Sequence, residues 1–121
     1  MKLFSLIIAL LLASASSYSQ TSAEIVSFSI EKVSGAVAVT WTPSVVPESN
    51  HFEIQRSKDG ANWKVIAIMF PFEDSSRMHT YKYNDKSLTE GNLYYRIRQI
   101  DINKKENFSK VHTTGSTKTD K

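Results

Sequence analysis

The sequence predicts an all-β fold, a seven-stranded antiparallel β-sandwich, and three observations carry that expectation. Apolar and polar residues alternate along short segments, the period of a strand with one buried face and one solvated face. Turn-forming residues separate those segments at roughly regular spacing, as in a sandwich and unlike strands interleaved with helices. The composition, 40% hydrophobic and 22% charged over 121 residues, is that of one ordinary globular domain.

The elements follow in order. Residues 25–33 offer a first strand, with Phe28 and Ile30 on one face. In residues 37–41 (VAVTW), Val37, Val39 and Trp41 share a face, which places Trp41 between the sheets with Phe52, Tyr95 and Ile97. Phe52 and Ile54 form the apolar row of the third strand, with Glu53 and Gln55 turned the other way. Asp59-Gly60 is the dipeptide favoured in tight hairpins, because glycine accepts positive φ without a Cβ clash. Residues 62–70 (NWKVIAIMF) are rich in aromatic and β-branched side chains, and Tyr81-Lys82-Tyr83 is a shorter alternating piece. In residues 93–100 (LYYRIRQI), Leu93, Tyr95 and Ile97 make the apolar row and Tyr94, Arg96 and Arg98 the other. Asn103-Lys104 marks a turn before a last strand around Phe108 and Val111. Residues 112–121 are polar and without period, a flexible tail.

The first nineteen residues read as an address. Lys2 gives a positive start, residues 3–13 (LFSLIIALLLA) are apolar apart from Ser5, and small residues follow. Cleavage fits after Ala15 or after Ser19, and the second site divides the chain into a signal peptide (1–19), a sandwich (20–111) and a tail (112–121). An eleven-residue helix spans about 16 Å, half a bilayer core, so an anchor is not expected. The mature chain is expected to be exported to the periplasm, the cell surface or beyond, to span no membrane, and to be monomeric.

Chemistry is sparse. With no cysteine, disulfides, thiolate metal sites and a cysteine nucleophile are excluded. A net charge of +3, with acids interleaved among bases, does not describe a nucleic-acid binder. His51, His79 and His112 are far apart in sequence and lack metal-ligand spacing, so neither metal nor cofactor is expected. Glu73 and Asp74 are adjacent and point apart in an extended segment, and no serine sits in a nucleophile elbow. Asp101-Ile102-Asn103 with Glu106 lacks the glycine and length of a calcium loop and is a hairpin turn. No catalytic residue is predicted.

Two candidate contact sites remain. Arg96 and Arg98 share a strand face, with Lys104 and Lys105 in the following turn. They form either an anion-binding patch, for instance for acidic polysaccharide, or a solvated face in which Glu53 pairs with an arginine. Phe70 and Phe72 flank Pro71, and rings of that size are costly to leave in water, by about 1.5–3 kcal/mol each. Either they fold over the open edge of the sandwich or they form a partner-binding patch. Phe70 is expected to pack against the sandwich and Phe72 to stay at least a third exposed.

Residues 37–43 (VAVTWTP) resemble strand B of a fibronectin type III domain, whose tryptophan plugs the core. Residues 52–60 (FEIQRSKDG) with Trp63 are similar to the C–C′ hairpin of the branch found in secreted and surface proteins of Bacteroidetes-type bacteria. Leu88, Gly91 and residues 94–101 (YYRIRQID) resemble its E–F corner and strand F, and residues 108–111 (FSKV) its strand G. The resemblance covers residues 23–111 and implies an immunoglobulin-like, fibronectin type III topology. It also implies a packing role for Trp63, and leaves Tyr94 or Tyr95 as the corner tyrosine. For function it implies an exported non-catalytic interaction module with a protein or glycan partner. The alternatives are a structural subunit of a surface assembly, or a small carbohydrate-processing accessory enzyme.

Overall fold

The structure, a computed structural model, describes residues 22–74, 76–86 and 91–115. Residues 1–19, expected to be a signal peptide, and Leu88 of the expected E–F corner lie outside the described residues. The described chain is all-β and antiparallel, with no helix.

Strand β1 (Ile25–Val33) turns through Ser34 and Gly35 into β2 (Ala36–Pro43), and β2 pairs in turn with β5 (Tyr81–Asp85). Gly35 sits at φ 78°, where a Cβ would strain the turn. The second sheet runs in the order β4 (Lys64–Met69), β3 (Ser49–Ser57), β6 (Tyr94–Asp101), β7 (Glu106–Phe108), with β8 (His112–Thr113) also beside β6. The two sheets face each other across one apolar cluster. Val37, Val39, Trp41 and Tyr81 come from the first sheet, and Phe52, Ile54, Tyr95 and Ile97 from the second, with Leu93 beside them. Alternation delivers these residues to one side of each strand, and Trp41, 0% exposed, lies where its strand pattern predicts. Its ring stacks on Tyr81 at 5.7 Å and meets the edge of Phe52 at 5.7 Å.

Polar groups also join the sheets. Arg56 on β3 donates from Nη1 to both oxygens of Asp85 on β5, at 2.8 and 2.7 Å, and the Tyr95 hydroxyl on β6 donates to Asp85 Oδ2 at 2.5 Å. Asp85 is 2% exposed, so this is a buried, hydrogen-bonded charge pair. Burial first, then the Asp85 hydrogen bond and charge, pushes the Tyr95 phenol far above its usual range. Tyr95 is thus the core tyrosine, while Tyr94 turns outward against Gly60.

Three expectations are corrected. Among the described residues eight strand segments form where seven were expected, because the last strand breaks at Ser109. Ser109 N–H donates to Ile97 O at 2.9 Å, but Ile97 N–H is answered by Ser109 Oγ at 2.8 Å, so a side chain takes a backbone place in the ladder. The tail expected from residue 112 begins instead with β8, whose His112 and Thr113 pair with Tyr95 and Tyr94. The Asp59-Gly60 turn is a six-residue loop, 58–63, not a two-residue hairpin. There Asp59 accepts from Ala61 N, Asn62 N, Asn62 Nδ2 and Ser57 Oγ. These bonds, led by the Asn62 amide, hold its carboxyl well below the usual range.

The β6–β7 turn is built as expected. Asp101 Oδ1 accepts from Asn103 N and Lys105 N, at 2.8 and 3.0 Å, so this carboxylate is spent on backbone amides.

Candidate functional site

The crossing from β4 to β5 carries an aromatic ledge. Met69 pairs with Phe52 and packs against the core, so alternation sends Phe70 outward, and Pro71 then redirects the chain. Phe72 N–H donates to the Tyr81 hydroxyl at 3.1 Å, and the Phe72 ring stacks on Tyr81 at 4.5 Å with the planes 23° apart. His79 meets the Phe72 ring edge-on at 4.9 Å, and its Nε2 donates to the Asp74 carbonyl at 2.5 Å. Rings therefore run in contact from Trp41 in the core through Tyr81 and Phe72 to His79 at the surface.

This order reverses part of the expectation. Phe70 is 66% exposed, with its ring 6.2 Å from that of His51, while Phe72 is 49% exposed and stacks on Tyr81. Met78, also exposed, extends the apolar surface of the same crossing. The recess bordered by Pro43, Ser49, Pro71, Arg77, His79 and Tyr81 is about 20 Å³, room for one water and no larger ligand. The ledge is an exposed surface, not a pocket.

The arginines separate. Arg98 Nη1 lies 2.8 Å from Glu53 Oε2 and its Nε 2.8 Å from Glu106 Oε1, the cross-strand pairing foreseen for Glu53. Hydrogen bonding to Glu106 is the main cause raising the Arg98 guanidinium pKa above the ordinary arginine value. Arg96 instead lies between two rings, 4.3 Å from the centroid of Trp63 and 4.2 Å from that of Phe108. Its Nε donates to Gln55 Oε1 at 2.7 Å. Sequence reasoning missed this clamp and the Arg56–Asp85 pair. The clamp's signal was the outward position of Arg96 beside Gln55, across strands that also bring outward aromatic residues.

No group of three histidine, aspartate or glutamate side chains converges among the described residues. His51 Nδ1 contacts Asn50 Oδ1 at 2.7 Å and His112 packs on Phe28 at 4.7 Å, so the three histidines stay in separate surroundings.

Together these features define a small antiparallel β module with an exposed aromatic crossing. No family model matches the chain, and no curated protein does. Solved structures do. Pectate lyase Pel3 from Pectobacterium carotovorum aligns over 81% of this chain and 28% of its own, with TM-score 0.60 and 13% identity. Pectate lyase PelI from Erwinia chrysanthemi, in complex with tetragalacturonic acid, aligns over 80% and 29%, with TM-score 0.57 and 18% identity. A β-1,2-glucanase from Parabacteroides distasonis aligns over 83% and 13%, with TM-score 0.56 and 20% identity. At such identities the likeness is one of fold, and this chain spans under a third of each of these proteins.

Proposed function

We propose that this chain is an exported, non-catalytic interaction module of fibronectin type III type, which contacts a protein or glycan partner through the Phe70–Phe72 ledge. The single observation that carries the reading is the half-exposed Phe72 ring, locked on Tyr81 by stacking and by its own amide, beside a Phe70 left largely in water. A ring already fixed in place loses little conformational entropy when a partner covers it. The strand orders β1-β2-β5 and β4-β3-β6-β7 support the fibronectin type III assignment, with the core tryptophan on the second strand. The structural relatives support an accessory role, since the shared fold is a minor part of larger carbohydrate-active proteins.

The test is capture of partners from the native cell envelope by the tagged mature chain, wild type against a Phe70→Ser, Phe72→Ser double variant. Loss of a specific partner with the fold intact supports the ledge; capture unchanged by the double variant refutes it.

A further inference from the structure

The outer face of the second sheet holds a guanidinium set against two aromatic rings. Of the strand arginines Arg56, Arg96 and Arg98, Arg96 makes no ion pair among the described residues. Both its faces are covered by Trp63 and Phe108, and Nε is spent on Gln55. Gln55 is 6% exposed and is itself anchored by donating from Nε2 to Glu53 Oε1 at 2.9 Å, so the acceptor that orients Arg96 is fixed. Of the five guanidinium N–H groups, the four on the terminal nitrogens find no acceptor among the described residues. The edge left open is the parallel fork that matches a carboxylate.

We propose that Arg96, held between Trp63 and Phe108, binds the carboxylate of a uronate-containing polysaccharide. The site lies outside the ledge and stands or falls separately from it. A uronate carries its carboxylate directly on the pyranose, so a fork contact brings the sugar ring against the partly exposed rings beside it. An aspartate or glutamate side chain would bring only a flexible stem, which is why an acidic peptide fits less well. Arg98, assigned to the same patch from sequence, takes no part because Glu53 and Glu106 occupy it. Arg98, paired with its two carboxylates, adds no free positive charge to the site, so binding rests on direct contact with Arg96.

The experiment titrates the mature chain with a short oligogalacturonate and with its methyl ester, following the Arg96 Nε–H and Trp63 indole N–H resonances by NMR. Saturable shifts of both signals with the acid and none with the ester are expected. Arg96→Gln weakens binding about tenfold or more. Glu106→Gln, at a residue half exposed, strengthens it severalfold, an effect no merely structural role produces. Because the wild-type shifts stand alone, a misfolded Arg96 variant does not rescue the proposal. Unmoved Arg96 and Trp63 signals, equal binding of the ester, or equally tight binding of polyglutamate overturns it.

Discussion

Trp41 carries both the largest buried ring of the core and an unanswered polar atom, since its Nε1 is buried with no hydrogen-bond partner among the described residues. An orphaned donor of this kind costs about 1–3 kcal/mol, which the ring's contacts with Phe52 and Tyr81 must outweigh. Trp41→Ala is expected to lose about 3–5 kcal/mol in a denaturant melt, enough to unfold a domain of ordinary stability. Asp85→Ala strands Arg56 and the Tyr95 hydroxyl and is expected to cost about 3 kcal/mol or more in the same assay. Trp41 was legible in the sequence because alternation is local. Asp85 was not, because its partner Arg56 is 29 residues away and the strand register that joins them is not written in either segment.

Among the elements, the β4–β5 crossing and β8 behave in opposite ways. The crossing keeps rings outside: Phe70→Ser should change stability by no more than about 0.5 kcal/mol, and Phe72→Ser, which loses the stack on Tyr81, by about 1 kcal/mol. A loss of several kcal/mol for the pair would make the crossing a core lid. The sequence showed that these rings needed an explanation but not which one packs, since Pro71 resets the direction of the chain between them. β8 draws a histidine inward instead. Burial, then the Lys110 charge, holds the His112 imidazole below its usual value. The unfolded chain therefore takes up this proton first, and the stability present at neutral pH declines as pH falls through about 6.5. Thermal melts between about pH 7.5 and pH 5.5 should show a shallower fall for His112→Gln than for wild type.

At the scale of the whole molecule, one core serves both sheets, and that unity is measurable. Trp41 lies inside the core and Trp63 on the outer face over Arg96, so single-tryptophan variants report from two layers. Their unfolding curves in denaturant should share one midpoint; separate midpoints would mean that the sheets do not unfold as one unit. The all-β class and most strands were legible because the pattern of one buried face repeats along the chain. The broken final strand was not: residues 108–111 lie within one short segment with no turn residue between them, and the exchange between Ser109 and Ile97 divides them.

That break has a bearing on solubility. Unpaired strand edges template the addition of other chains, and a long flat edge is an aggregation hazard. Divided at Ser109, the outer margin beside β6 offers only a three-residue and a two-residue ladder, neither long enough to seed a cross-β stack. The opposite margin, β4, carries an irregular register at Ile54/Gln55 and is followed by Pro71, which has no N–H to donate. A sheet interrupted on both sides can be crowded against copies of itself without zipping into fibres.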